Sequence, residues 1–328
     1  MRYALAPTTF ATYSSAWNSF DRFCTLFGFP PYPLSAVTLE YYIASVAHRL
    51  AYRSIKVYLS ALHYRNAVFG FPPPWLGRVH YLLRGIRRFQ GNSRIRPRRL
   101  PITLPMLHVL FRYLHSHCCT HDALCFRAAS AMAFFGMLRV SEYTSPSSSF
   151  YHPLLHLSTS DVVPDFALRF LLDRIKASKT DPFRSSAIIR LPVVDSFCCP
   201  YTNCLHYLLL RRRLPPGPFF VLSDGSFLTR AHVQSMLAAA FPRLAPGLVS
   251  SHSFRAGGAS AAASIGVPDS ANQILGRWSS QAFRAYLHLS DDYLSDVHRR
   301  ISSTTSLHRL WDVDRLSSVA ASSLPPAP

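Results

Sequence analysis

The sequence predicts a mainly α protein of two domains: a helical front domain, then a mostly helical one holding a small antiparallel β-sheet or hairpin. Three observations predict it. Apolar residues recur at spacings of three and four through most of the chain, the period of a helix with one buried face. Only two short runs, FALRFLLDRI and SAIIRLPV, are rich enough in branched and aromatic residues to read as strands. A length of 328 residues with 49% hydrophobic content suits about two domains with a sizeable core.

Four helices fill the first ninety residues. In the first, Tyr13, Trp17, Phe20, Phe23 and Phe27 form one apolar face; Leu39, Tyr42, Ile43 and Val46 do so in the second. Ile55, Tyr58, Leu59 and Leu62 mark the third. The fourth, VHYLLRGIRRFQ, has a basic side of Arg84, Arg87 and Arg88. Proline clusters in GFPPYP and GFPPPW mark the breaks. Residues 91–103 follow, an Arg-rich, Pro-broken linker carrying Arg94, Arg96, Arg98 and Arg99. The helix before it is basic and free of acids too, so this whole stretch is read as a DNA-phosphate contact surface. Residues 104–305 form the second domain. LPMLHVLFRYLHSH and HDALCFRAASAMAFFGM read as helices, the two strand runs flank the polar turn KASKTDPFRS, and Thr229 is placed to cap a helix after the Asp224-Gly225 turn. Residues 306–328 are a low-complexity tail, expected to be partly disordered.

The formal net charge is +19, and no Asp or Glu occurs between Tyr41 and Thr120. Such a chain attracts polyanions, of which duplex DNA is the commonest. Only three of the 35 basic residues are Lys. A bias toward Arg codons explains that ratio but not the missing carboxylates. The seven cysteines are read as thiols: HSHCCTHDALC and CCPYTNCLH lack paired C-x-x-C spacing and follow helical periods, so no metal site is expected. No apolar run approaches membrane-spanning length and the N-terminus has no signal-peptide pattern, so an intracellular protein with no membrane partner is expected.

The chemistry sits in scattered segments. Cutting a phosphodiester without metal requires fixed cations for the non-bridging oxygens, a nucleophile in line, and an acid for the departing sugar oxygen. His252 and Arg255 lie one helical turn apart in SHSFRAGG and share a face. Arg139, in FFGMLRVSEY, precedes Glu142 by three residues. That pair suits a structural salt bridge or an Arg fixed toward a phosphate equally well. Lys179 lies in the hairpin turn, where a Lys suggests a proton donor; Lys176 competes for that role. Trp278 offers an indole N–H, and Tyr286 follows eight residues on.

In this order, L-R-x-S-E, a hairpin Lys, H-x-x-R, G-R-W and a Tyr, the segments resemble the tyrosine recombinases, or phage integrases, over roughly Leu104 to Ile301. The helical front half resembles that family's SAM-like core-binding, DNA-binding domain. SKTDPFR and GRWSSQAFRAYL also resemble recombinases of eukaryotic mobile elements of the DIRS-like or crypton-like kind. The Trp278–Tyr286 interval is one residue shorter than in familiar bacterial members. The resemblance implies a site-specific recombinase or integrase of double-stranded DNA, acting through a 3′-phosphotyrosyl link with no cofactor, and assembling as a tetramer on DNA. It implies that Arg139 and Arg255 clamp the scissile phosphate, with Glu142 supporting Arg139. Lys179 would protonate the leaving 5′ oxygen, His252 would assist proton transfer, Trp278 would fill the place of a second His, and Tyr286 would attack. A eukaryotic element would place the protein in the nucleus; otherwise it would work in the cytoplasm, at the nucleoid. The alternatives are a domesticated DNA-binding protein that no longer cuts and relaxation of DNA like a type IB topoisomerase.

Overall fold

A computed structural model describes residues 4–91, 99–176, 186–278, 280–281, 284, 287 and 299. The chain divides into two compact units, Met1–Pro97 and Arg98–Pro328. No described helix is long and apolar enough to cross a membrane.

The first unit is four helices: α1 (Pro7–Phe27), α2 (Ala36–Ala47), α3 (Tyr52–Val68) and α4 (Gly77–Gly91). Their apolar stripes close on one core of Phe20, Phe23, Leu39, Tyr42, Ile43, Val46, Ile55, Leu62 and Val79. The α1 face ends sooner than its period suggests. Phe27 is 58% exposed, because α1 stops at Gly28 in the left-handed region (φ 70°), and its ring lies 4.9 Å from Phe23 at the rim. Two buried amides tie the breaks. Asn66 accepts from the Leu34 N–H and donates to the Phe71 and Pro72 carbonyls, joining both proline-rich loops. Gln90 donates to Ala47 and Leu50 and accepts from the Tyr52 N–H. The two acids of this unit are both paired: Asp21 with Arg65 at 2.7 Å and Glu40 with Arg78 at 3.7 Å.

The second unit is built around α6 (Thr120–Phe135), whose Ala, Ser and Met residues are buried all round. Packed on it are α5 (Leu104–His117), α8 (Pro200–Arg211) and α10 (Ser251–Ser264). The one-turn α7 (Val140–Tyr143) follows α6, α9 (Arg230–Ala240) precedes α10, and α11 (Asp269–Gly276) follows it. Thr229 caps α9 by accepting from the His232 N–H. Cys125, Cys198, Cys199 and Cys204 are part of the buried core. The close approach of α10 to α6 and to the segment before α5 depends on two glycines. A Cβ on Gly257 would run into the Ile102 carbonyl, and one on Gly258 into the Phe134 carbonyl.

The sheet is an antiparallel meander, β1 (Val162–Asp165), β2 (Phe170–Ile175) and β3 (Ala187–Pro192) in that order. β1 goes beyond the hairpin read from sequence. Its four residues include Pro164, which reads as a break and is tolerated on an edge strand. On β2 the inward positions are Leu171, Asp173 and Ile175. Asp173 is 0% exposed, and neither carboxyl oxygen has a hydrogen-bond partner among the described residues. Burial pushes its pKa up to about 8, against the pull of Arg277 and with the push of Glu142 and Asp161.

Two outcomes follow from this packing. Alanine normally stabilises a helix interior by about 1 kcal/mol over glycine. At position 257 the sign reverses: Gly257→Ala lowers unfolding free energy by roughly 1–3 kcal/mol through overpacking, read from urea midpoints. A midpoint at or above wild type contradicts the close α10 approach. For Asp173, the native state binds the proton more tightly than the unfolded chain. Its stabilising share is therefore whole below the unfolded carboxyl pKa and lost as pH rises through about 8. Asp173→Asn, which mimics the neutral acid, gains Tm relative to wild type as pH is raised toward 9; a pH-independent difference contradicts a neutral buried acid.

Candidate active site

The site gathers where α6 ends. After Gly136 the chain turns through Met137 (φ 47°) and Leu138, and Arg139 stands at the N-cap of α7. Glu142, one turn on, has a side chain 0% exposed. Its Oε2 accepts the Arg139 backbone N–H at 2.9 Å, and its Oε1 accepts Arg139 Nη1 at 2.9 Å. The same Oε2 accepts Nη2 of Arg277 at 2.8 Å. One buried carboxylate thus holds an arginine on each oxygen.

Arg255 comes from α10 and is 1% exposed. Its guanidinium donates to the Met137 carbonyl and, at 2.5 Å, to the Gly276 carbonyl. The Trp278 ring lies 4.2 Å from its Cζ, a cation–π contact inside the protein. That contact explains G-R-W: the Trp278 ring folds back over Gly276, where any Cβ would collide with it. Met137, Ala259 and Trp278 form a small apolar cluster, with Ala262 and Leu287 against it.

His252 stands one turn before Arg255 and is half-buried, its Nδ1 buried without a partner among the described residues. Burial first, then the positive charges of Arg230, Arg99, Arg255 and Arg139, hold its pKa below the usual histidine range. The imidazole is neutral at neutral pH, able to accept a proton at one nitrogen and donate at the other.

Arg139, Glu142, His252, Arg255 and Trp278 are therefore brought together from three separate stretches of chain. Lys179 and Tyr286 lie outside the described residues, as do Arg94, Arg96 and Arg98. Lys176, the competitor of Lys179, is committed elsewhere. It forms an ion pair with Asp161 at 2.5 Å and donates to the Pro153 carbonyl and the Ser158 hydroxyl. Arg84, Arg87 and Arg88 are exposed on α4, and Arg99 is exposed at the start of the second unit. Three groups escaped the sequence reading. Arg277 was hidden beside Trp278 in G-R-W, with its partner far away in sequence. Exposed Arg230, first residue of α9, gave no local signal. Asp173 shares its strand face with Leu171 and Ile175, but an acid beside Arg174 in a short strand reads as solvent-facing.

The fold is similar to that of the Tn1549 transposon integrase solved with a circular intermediate DNA, at 13% identity over 85% of this chain and 91% of that one, with a TM-score of 0.56. It is similar to a lambda integrase dimer bound to a COC′ core site, at 17% identity over 87% and 73% of the two chains, TM-score 0.55. It is also similar to the XerH site-specific recombinase bound to a palindromic difH substrate, at 14% identity over 81% and 69%, TM-score 0.53. No protein-family model and no curated protein sequence matches the chain. Mostly helical, with its three-stranded antiparallel sheet, the chain has the fold of the tyrosine recombinase catalytic domain.

Proposed function

We infer that the protein is a site-specific DNA recombinase that cleaves and rejoins strands through a 3′-phosphotyrosyl intermediate. The observation that carries this is the convergence of Arg139, Arg255 and a neutral His252 around the turn after α6. Two guanidinium groups fixed by carboxylate and carbonyl partners are preorganised for a phosphate that gains charge in the transition state. They cost no reorganisation when that charge appears. The three similar structures are DNA-bound transposon, phage and site-specific recombination proteins.

In this reading the Tyr286 hydroxyl attacks phosphorus while His252 takes its proton. The bond from phosphorus to the 5′ oxygen breaks, and Lys179 supplies the proton that the leaving oxygen needs. Lys176 is the weaker candidate, since Asp161 holds it. The phosphodiester energy stays in the tyrosyl link, so a second 5′ hydroxyl can reverse the step without ATP. Trp278 backs Arg255 with its ring face. The first unit and the Arg-rich stretch 91–103 would clamp the duplex, and four protomers would meet at synapsis. A eukaryotic mobile-element source would put the reaction in a nucleus; any other source would put it in the cytoplasm, at the nucleoid.

The test is covalent capture. Wild-type protein is mixed, without magnesium, with duplexes taken from the DNA flanking its own gene, and stopped in SDS. An adduct forms with wild type and is absent in Tyr286→Phe, whose DNA affinity stays close to wild type because binding rests on many Arg–phosphate contacts. Arg139→Ala slows adduct formation on the order of 100-fold, roughly 3 kcal/mol of transition-state stabilisation. The rate is level through neutral pH and falls only in acid, below the usual histidine range, as His252 takes up its proton. A wild type that binds DNA and never forms an adduct favours the non-cutting DNA-binding protein. Adducts whose only product is relaxed plasmid favour the topoisomerase.

A further inference from the structure

We propose that Arg277 is a positioning residue of this site: by occupying Oε2 of Glu142, it keeps Glu142 from closing on Arg139 with both oxygens and so holds Arg139 in its phosphate-facing pose. The proposal rests on the recombinase reading for what Arg139 does, and on geometry alone for how Arg139 is held.

The first observation is the backbone. Arg277 sits at the end of α11 in the left-handed region, φ 55° and ψ 47°. Glycine is the residue that costs least there; a side chain carries a penalty of roughly 1 kcal/mol. An arginine at this position is explained by what its side chain does. Nη1 donates to the Gly136 carbonyl at 3.0 Å and to Leu275 at 3.3 Å, and Nη2 reaches Glu142 Oε2 at 2.8 Å. The fork spans the α6 terminus and the carboxylate, with a side chain only 18% exposed.

The second observation is the form of the Arg139–Glu142 pair. Arginine and carboxylate prefer two parallel hydrogen bonds. Here the side chains meet through one, Nη1 to Oε1, because Oε2 is already taken by Arg277 and by the Arg139 backbone N–H. Without Arg277, Oε2 is left short of a charged donor in a buried place. The nearest guanidinium able to supply one is Arg139 itself. Rotating to do so would turn its fork toward Glu142 and away from a phosphate. Arg277 also supplies a second positive charge to a carboxylate that would otherwise cancel the charge of Arg139.

Arg277→Gly is the informative variant, because glycine suits the left-handed backbone and so offsets part of the cost of leaving Glu142 one charged donor short. In the covalent capture assay it forms adduct on the order of 10-fold more slowly than wild type, the scale of coupled neighbouring charges, with DNA affinity little changed. Arg277→Lys, which still reaches Oε2, recovers most of the rate. In a Glu142→Gln background the same Arg277→Gly change adds little, since the carboxylate it restrains is gone. The second readout needs no DNA: the Nε–H resonance of Arg139, assigned by its loss in Arg139→Lys, moves in Arg277→Gly but not when Glu142→Gln is already present. Equal slowing in both backgrounds, or an Arg139 resonance that stays in place, overturns the proposal. If wild type forms no adduct, the cleavage reading falls, and the Arg139 resonance alone decides whether Arg277 positions Arg139.

Discussion

The second unit depends on how one buried carboxylate is satisfied. Glu142 has no exposed side-chain surface and accepts from Arg139 and Arg277 on its two oxygens. Removing a partner from a buried ion pair is far more damaging than never having built it, by about 3–5 kcal/mol, because the remaining charge is stranded. Glu142 therefore cannot let go of either arginine cheaply. It joins α7 to the end of α11, segments far apart in sequence. The chain has one other Glu, in the other unit.

The end of α6 does the complementary work. Its last carbonyls carry the negative end of the helix dipole. Gly136 accepts from Arg277, and Met137 from Arg255. So three arginines are held in a small space by one carboxylate and the carbonyls of Gly136, Met137, Leu275 and Gly276, and their mutual repulsion is offset without neutralising them all. α10 reaches this place because Gly257 and Gly258 let it lie against the Ile102 and Phe134 carbonyls. Core packing thus sets the distance between Arg255 and Arg139. Burial, and after it the same positive surroundings, keep His252 neutral, which is the form that can take a proton from a tyrosine.

Much of this was legible in the sequence, for physical reasons. Helical period and proline breaks located the helices of the first unit, and H-x-x-R put His252 and Arg255 on one face because a helical turn requires it. What stayed hidden was whatever a distant partner decides. Arg139 and Glu142 read equally as a salt bridge or a phosphate anchor, and in the fold they form the bridge beside Arg255. Lys179 reads as the proton donor with Lys176 as its competitor; the fold pairs Lys176 with Asp161, while Lys179 lies outside the described residues. Arg277 looked like one basic residue among many, since only the fold brings it to Glu142. Asp173 and Phe27 mislead in opposite directions. A lone Asp in a strand suggests solvent but is fully buried, and a Phe on the apolar stripe suggests core but lies outside it.

The most direct measurement is the identity of the residue that carries DNA after cleavage. Adduct trapped in SDS is trimmed with nuclease, digested with trypsin and fragmented in a mass spectrometer. Tryptic cuts after Arg284 and Arg299 leave Tyr286 and Tyr293 on one peptide, and fragment ions separate them. The predicted result is a nucleotide joined by its 3′ phosphate to Tyr286. A nucleotide on Tyr293 or on a serine, or one joined by a 5′ phosphate, would contradict a phosphate clamped by Arg139 and Arg255 for attack by Tyr286.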